Sequence, residues 1–453
     1  MGDKTTIYNL ITAALVKFKE KYIQILLVII TVMVTILRFL LNENGRVSPD
    51  SIRYMKFAHV LPEIDNTITP LGYPLSIKIF TFLGTDEFWA SKILGITAML
   101  FIVFFSWEKN FYAGESTVLV ALFSFVSIFA VTLSEGCILP FVFLFLFVAD
   151  KIIKGNLTGW KAVFYLSLSL ILLYNIRYSS LFIMGAVGLY GLLFIKRSYG
   201  RAFLFSGIIS GVYIILYKFL FIDYFNEDYI KQSLEIGLYP TSKLLVELFQ
   251  GLCTTFNPFI HMSNPGGGII NYGIYGLGAF NILLMIFLFT RYKLSNSEFF
   301  FIFTSVFGIV CSFFIQYFYP VDAIGYRILA PFSFPLWLIY FRKLFQLFDV
   351  KVYVIGIVSI MSGVVFTWLS KGNYLENRKE VVHFLQSEKL DKVPLQFYLQ
   401  SMEDLDKMQV AELVSTVNSN LEVTFKASDT LKKTTLTYYK VSQKIKIDKN
   451  KYQ

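Results

Sequence analysis

Long apolar stretches recur along this chain from about Tyr22 to about Leu369, and that feature excludes almost every soluble architecture. An α-helix needs about 20 apolar residues to cross the hydrocarbon core of a bilayer, and in lipid only helices or closed barrels satisfy all their own backbone polar groups. Hydropathy gives about eleven such spans. With 55% hydrophobic, 18% aromatic and 16% charged residues among 453, the balance is that of an all-α polytopic membrane protein. The first stretch, Tyr22 to Leu41, follows Lys17, Lys19 and Lys21 but is long for a signal-peptide core and has no small-residue cleavage site behind it. It reads as a retained first helix.

The short loops orient the bundle. With the amino terminus in the cytoplasm, alternate connections carry Lys109; Lys151, Lys154 and Lys161; Lys196, Arg197 and Arg201; Arg291 and Lys293; and Arg342, Lys343 and Lys351. This is a positive-inside series. The intervening connections hold Glu43, Asp50, Glu63 and Asp65; Glu135; Asp223, Glu227, Asp228 and Glu235; and Asp322. The acidic residues therefore gather outside. The net charge of +10 is accounted for by cytoplasmic anchors and a Lys-rich tail, and no basic patch interleaved with aromatics points to nucleic acid. Cys137, Cys253 and Cys311 fall in or near different apolar segments with no paired spacing, and only three histidines are present. Neither a disulfide framework nor a His/Cys zinc centre is expected.

Residues 1–370 thus form a polytopic domain, and an odd helix count leaves residues 371–453 outside. Two outer segments are long. The first, 42–88, includes an apolar stretch at 75–84 too short to span, which suggests a helix at the interface. The second, 223–271, is rich in Tyr, Asn and Gly, the composition of a lid, a binding segment or a connector. The tail shows helical periodicity near 376–390 and 402–417 and strand-like alternation at 421–426 and 434–446, so a small α/β appendage is expected there.

Charged groups at a membrane boundary are costly and tend to mark sites or buried pairs. In Ser48-Pro49-Asp50-Ser51, Ser48 can cap a helix and Pro49 suits its first position, which puts Asp50 in the first turn with Tyr54 and Ala58 on the same face. Pro62 then stops that helix. A lone Asp at this place is also what a helix macrodipole favours. Glu135 opens a span with no local cation, Arg177 follows the apolar run Leu172-Leu173-Tyr174-Asn175-Ile176, and Arg327 stands near Asp322, its simplest ion-pair partner. Glu63 and Asp65 are a carboxylate pair that could take a divalent cation. Topology delivers two arginines and several carboxylates to one leaflet face, the constellation expected for chemistry on a phosphorylated lipid.

These residues resemble the GT-C integral-membrane glycosyltransferases, in particular the bacterial branch similar to protein mannosyltransferases (glycosyltransferase family 39) and the lipid A aminoarabinose transferase. The resemblance covers about residues 22–370. It rests on Asp50-x3-Tyr54-x3-Ala58, Gly72-Tyr73-Pro74-Leu75, Ser134-Glu135, Arg177-Tyr178 and Tyr326-Arg327-x3-Pro331, taken in order. The chain departs from the mannosyltransferase pattern at Ser51, where a second acidic residue usually follows the catalytic Asp. The resemblance implies transfer of a hexose or pentose from a polyprenyl-phosphate donor to a hydroxyl of a lipid, glycan or protein acceptor, outside the cytoplasm. Asp50 would be the general base, and Arg177 and Arg327 would bind the donor phosphate. Tyr54, Tyr73, Tyr178, Glu135 and Asp322 would line the substrate site, with Asp65 a reserve carboxylate. Direct displacement implies inversion at the anomeric carbon. Abundant Lys, Ile, Asn and Phe suit an AT-rich bacterial genome, which places the protein in a bacterial cytoplasmic membrane. The competing readings are a lipid or glycan transporter or flippase, which would spread polar residues through the helix centres, and a polymerase or ligase of lipid-linked glycans.

Overall fold

The computed structural model describes residues 2–225, 241–261, 268–318, 324–401, 404–443 and 445, with side chains from residue 19 onward apart from that of residue 241. Helix α1 (Gly2–Leu40) leads into a long loop holding α2 (Pro49–Val60) and α3 (Gly72–Thr81). The bundle continues through α4 (Glu87–Lys109), α5 (Ala113–Val120), α6 (Phe123–Ala130), α7 (Ser134–Ile153), α8 (Gly159–Ile176), α9 (Leu181–Leu193) and α10 (Ser198–Tyr217). After α11 (Thr241–Thr255) come α12 (Ile269–Arg291), α13 (Asn296–Phe318), α14 (Ala330–Phe348) and α15 (Tyr353–Leu369).

Among the described residues, eight helical stretches are long and apolar enough to cross a membrane, and nine if α5 and α6 make one span. The longest of them, Ala330–Leu369, is two helices. Asp349, at φ 51° and ψ −139°, breaks it. Gln24 of α1 donates to the Tyr353 hydroxyl at the start of α15 (2.6 Å), and Arg38 of α1 donates to Ser370 just past its end (3.1 Å). Helices α1 and α15 are therefore parallel neighbours. Helix α14 runs the other way, from the Arg327–Glu135 contact to the buried Lys343–Glu298 pair (2.8 Å). With the shorter apolar helix Tyr178–Leu193, the described residues accommodate the roughly eleven crossings read from hydropathy.

The α5–α6 span is bent by 70° and buried along most of its length. A break of this kind frees backbone groups that lipid cannot satisfy. Here the Phe123 N–H donates to the Ser359 hydroxyl of α15 at 2.8 Å, and that hydroxyl donates in turn to the Pro258 carbonyl at 2.6 Å. The kink is stable because it lies inside protein.

The first long loop follows its expected plan. Helix α2 starts at Pro49 and ends at Val60, and Leu61, the residue before Pro62, is extended (φ −51°, ψ 134°) as a pre-proline residue prefers. Helix α3 begins three residues earlier than the 75–84 stretch. It buries Tyr73, Pro74 and Ile77 while Leu75 and Ile79 stay exposed, so it is a short amphipathic helix against the bundle. Its start is set by Gly72, where a Cβ would come within 2.6 Å of the Asn175 carbonyl oxygen. Only glycine lets α3 approach the end of α8 so closely.

The C-terminal unit contains α16 (Tyr374–Ser387), β1 (Leu395–Tyr398), α17 (Leu405–Ser415), β2 (Leu421–Thr424), β3 (Thr435–Leu436) and α18 (Tyr438–Ser442). The three strands pair in parallel in the order β2-β1-β3, with Leu395 opposite Leu421 and Gln396 opposite Thr435. Both helices expected there are present. The expected strand at 434–446 is confined to Thr435–Leu436, because the chain turns into α18 at Tyr438, and β1 lay outside the expected strands. The unit shares its core with the membrane domain: Ile52 and Met55 of α2, together with Val47 and Phe88, are buried among Tyr374, Val381, Phe397 and Val414. Polar ties reinforce the seam. Arg378 pairs with Asp86 at 2.8 Å, and Asp86 also caps α4 by accepting from the Trp89 N–H.

Candidate active site

Asp50 occupies the first turn of α2 because the sequence before it caps the helix. The Ser48 N–H donates to the Ser51 hydroxyl at 2.9 Å, and the two hydroxyls lie 3.1 Å apart. Ser51, the position at which the chain departs from the mannosyltransferase pattern, is fully buried and serves the cap. The Asp50 side chain is 59% exposed, and among the described residues its one ion-pair contact is a loose one with Arg53 at 3.9 Å. It is an accessible carboxylate at the start of a rigid helix.

One turn along α2, Tyr54 crosses to the start of α7, where its hydroxyl lies 3.2 Å from that of Ser134. Burial, with Glu135 adding to it, pushes the Tyr54 phenol up to about 12. It stays a neutral hydrogen-bond donor. Tyr73 lies beneath it, edge to face at 4.9 Å and buried, so it supports Tyr54 and does not reach solvent.

Glu135, in the first turn of α7, is the junction of the site. Its carboxylate meets Arg177 at 3.0 Å and Arg327 at 3.9 Å, and it is only 5% exposed. Arg177 reaches it because α8 ends at Ile176 and Arg177 is extended (φ −154°, ψ 122°), turning its side chain back across the bundle. The guanidinium also donates to Ser179 (3.1 Å) and touches Ser134 (3.5 Å). Burial opposes the Arg177 charge, but Glu135, followed by Tyr54 and Asp50, outweighs it and raises its pKa. Tyr54, Glu135, Arg177 and Arg327 converge beside Asp50 from four places in the chain.

The other expected residues are placed elsewhere. Asp65 pairs with Lys56 at 2.9 Å, and Lys56 also reaches Glu422 of the C-terminal unit at 3.1 Å. Asp65 therefore works in the seam and does not join Asp50. Tyr178 donates to the Thr67 carbonyl at 3.0 Å and packs on Tyr174 and Tyr217, which anchors the first loop. Asp322 lies outside the described residues, as do parts of the long 223–271 segment. Among the described residues no group of three or more His, Cys, Asp or Glu could hold a metal ion.

Sequence reasoning missed a second cluster, made only of cations and rings. Arg46 takes a left-handed backbone conformation (φ 57°), rare for a residue with a side chain. Its carbonyl accepts from Lys92 Nζ at 3.3 Å and the Thr132 N–H at 3.2 Å. Burial and Arg327 lower the Arg46 pKa against the pull of Tyr326, whose hydroxyl it meets. Arg38 lies near Arg46 and over the Phe123 ring at 4.8 Å. His261 is stacked between Phe123 and Tyr326, with Nε2 2.7 Å from the Ser127 hydroxyl. Burial, then Arg38 and Arg46, hold its pKa well below the usual histidine range. Among the described residues the buried Arg38 Nε, Arg46 Nε and His261 Nδ1 have no hydrogen-bond partner. In the sequence Arg38 stands at the end of one apolar span and Lys92 near the start of another, so each marks a membrane boundary, but nothing local joins them.

No family model matches the sequence, and no curated protein matches it. Among solved structures the chain is similar to ArnT from Cupriavidus metallidurans bound to undecaprenyl phosphate, at 13% identity and a TM-score of 0.48, over 92% of this chain and 90% of that one. It is also similar to the Archaeoglobus fulgidus oligosaccharyltransferase tethered with an acceptor peptide, at 11% identity and a TM-score of 0.44. AglB from the same organism, in complex with an inhibitory peptide and a dolichol-phosphate, gives 11% identity and a TM-score of 0.42. In both archaeal comparisons the chain spans 64% of the other protein's length. At these values the likeness is one of chain path and says nothing of which residues act.

Proposed function

We propose that the protein is an inverting glycosyltransferase that moves a sugar from a polyprenyl-phosphate donor to a hydroxyl acceptor at the extracytoplasmic face of the membrane. The observation that carries this reading is the pairing of an accessible carboxylate, Asp50, with the Arg177–Glu135–Arg327 cluster, whose central carboxylate is buried. The acceptor hydroxyl oxygen attacks the anomeric carbon, its proton passes to Asp50, and the bond from that carbon to the phosphate oxygen breaks with its electron pair staying on the phosphate. One bond forms and one breaks, so no covalent enzyme intermediate is needed. The leaving phosphate gains negative charge as the bond breaks, and fixed guanidinium groups in a water-poor site stabilise that charge best.

Among the described residues, Arg177 and Arg327 together carry two positive charges against the one carboxylate they share. Glu135 both orients them and leaves a net positive charge for the donor. Tyr54, held neutral, is placed to donate to the sugar or to the departing oxygen. The orientation rests on the lysines and arginines of alternate short loops, which belong at the end of the bundle opposite Asp50.

The test is mass spectrometry of lipids that copurify with the full-length protein and with Asp50→Asn. Polyprenyl phosphate should accompany the wild type, and its sugar-bearing form should accumulate on Asp50→Asn, which binds the donor but does not turn it over. Absence of any polyprenyl phosphate from both preparations, or equal turnover by the two, would overturn the reading.

A further inference from the structure

Arg327 is the less tightly held of the two arginines on Glu135. Its contact there is 3.9 Å and its side chain is 36% exposed, against 3.0 Å and 18% for Arg177. The backbone that carries it is fixed more firmly. The Ala330 N–H donates to the Arg327 carbonyl at 3.1 Å and the Leu329 N–H to the Gly325 carbonyl at 3.0 Å, a turn that runs into α14. The Ile324 N–H donates to Gln316 of α13 at 3.1 Å, and the Ile324 carbonyl lies against Gly251 of α11, where there is no room for a Cβ. Tyr326, 4% exposed, pins the turn from the side. Its ring stacks on that of His261 with the centroids 4.0 Å apart.

His261 is itself held from three directions. It ends a strap, residues 257–261, in which Asn257 accepts from the Phe259 and Ile260 N–H groups and donates to the Ile274 carbonyl of α12, each at 3.0 Å. Ser359 and Ser362 of α15 donate to the Pro258 and Phe259 carbonyls at 2.6 and 2.8 Å. The bend between α5 and α6 supplies the third support. Phe123, the first residue of α6, stacks on the imidazole at 4.7 Å, and Ser127, one turn on and so on the same face, meets Nε2 at 2.7 Å. The ring is thus fixed on both faces and at one edge. Burial, then Arg38 and Arg46, hold its pKa well below the usual histidine range, so near neutral pH the imidazole is uncharged and acts by its shape.

We propose that His261 is a positioning residue for the transfer reaction: its ring, seated on Phe123 and Ser127, sets Tyr326 and, through it, the Arg327 guanidinium that receives the departing phosphate. The kinetic consequence rests on the transferase reading; the placement of Arg327 by His261 does not. The phosphate gains charge only as the sugar leaves, so a displaced Arg327 costs the transition state more than the bound donor. Loss of the His261 ring therefore lowers kcat more than it raises KM.

Two variants of the full-length protein separate the ring from its hydrogen bond. His261→Phe keeps the stack and loses the Ser127 contact, whereas His261→Gln keeps an amide near Ser127 and loses the stack. Tyr326→Leu removes the other ring of the pair and should behave as His261→Gln does, so the outcome does not hang on one substitution. The first readout is release of polyprenyl phosphate from the sugar-bearing lipid recovered with Asp50→Asn, added to native membranes that hold the acceptor. The second, independent of turnover, is the rate at which phenylglyoxal labels Arg327 in detergent-solubilised protein, followed by peptide mass spectrometry. His261→Gln should lower kcat by roughly tenfold to a hundredfold with little change in KM, a part of the 10²–10³ that losing one electrostatic contact itself costs. It should cost nothing further in an Arg327→Gln background, since residues acting as a unit are not additive. Its Arg327 labelling should differ from that of the wild type by about threefold or more, the scale of a changed local environment. His261→Phe should match the wild type in both readouts. Equal losses in His261→Phe and His261→Gln, a loss undiminished without Arg327, or unchanged labelling in both His261→Gln and Tyr326→Leu would each overturn the proposal. Altered labelling in those two variants with no sugar transfer by the wild type would keep the placement of Arg327 and reject the transferase.

Discussion

Glu135→Gln tests the centre of the site, because among the described residues that carboxylate alone pairs with both Arg177 and Arg327. At an effective dielectric near 20, a pair of unit charges about 4 Å apart is worth roughly 4 kcal/mol, and Glu135 makes contacts at 3.0 and 3.9 Å. Much of that gross attraction is cancelled by the cost of removing three charges from water. Removing one partner of a buried pair nevertheless costs about 3–5 kcal/mol, since the remaining charge is left uncompensated. Glu135→Gln leaves two cations facing each other, and Arg177→Met leaves Glu135 with only the longer Arg327 contact. The double variant removes both charges of the close pair, so its cost should fall short of the summed single costs by about 2–3 kcal/mol, the range of contacting residues. The assay is equilibrium unfolding of the three variants and the wild type by SDS titration of detergent-solubilised protein. Single costs under about 1 kcal/mol, or additivity within about 0.5 kcal/mol, would refute a buried, mutually dependent cluster.

Asp50→Asn should lower turnover by about 10²–10⁴, as loss of a general base does, and leave unfolding within about 0.5 kcal/mol of the wild type because the residue is exposed; a parallel loss of stability would point to a capping role instead. Gly72→Ala puts a methyl group 2.6 Å from the Asn175 carbonyl oxygen, so it should destabilise by about 1–3 kcal/mol and also reduce turnover, since the displaced α8 end carries Arg177. Glu412 of α17, which accepts from Asn44 at 2.5 Å, is pushed by burial up to about 8. The folded state therefore holds its proton above the unfolded value near 4.5, so the contribution of this group to stability is complete below about 4.5 and is lost as pH rises through about 8. Hydrogen exchange over residues 374–415 should accelerate across that window, and Glu412→Gln, which keeps the neutral form at every pH, should flatten the response.

The helices were legible because lipid forces a long unbroken apolar run, and the start of α2 was legible because its cap, Ser48-Pro49, is local. The gathering of Glu135, Arg177 and Arg327 followed from topology alone, since each stands at a turn on the same face. Contacts made across the chain were not legible. Nothing near Asp65 announces Lys56 and Glu422 as its neighbours, and Arg38 looks like a plain anchor at the end of a span until Ser370 and Phe123 are folded around it. The bend between α5 and α6 was hidden for the same reason: its freed N–H is satisfied by Ser359, 236 residues away. Strand β1 is four residues long, too short a run for alternation to stand out, and it becomes a strand because β2 and β3 flank it on both sides.

The seam between the first loop and the C-terminal unit sets the order in which the protein can be completed. Asn44 meets Glu412 across 368 residues, Lys56 meets Glu422 across 366, and the Gly372 N–H donates to the Leu41 carbonyl. The chain is made with α2 and Asp50 hundreds of residues ahead of the unit that covers the apolar face of α2. The helix bearing Asp50 is made well before the unit that completes its packing, so a chain stalled ahead of residue 374 holds that helix without its cover.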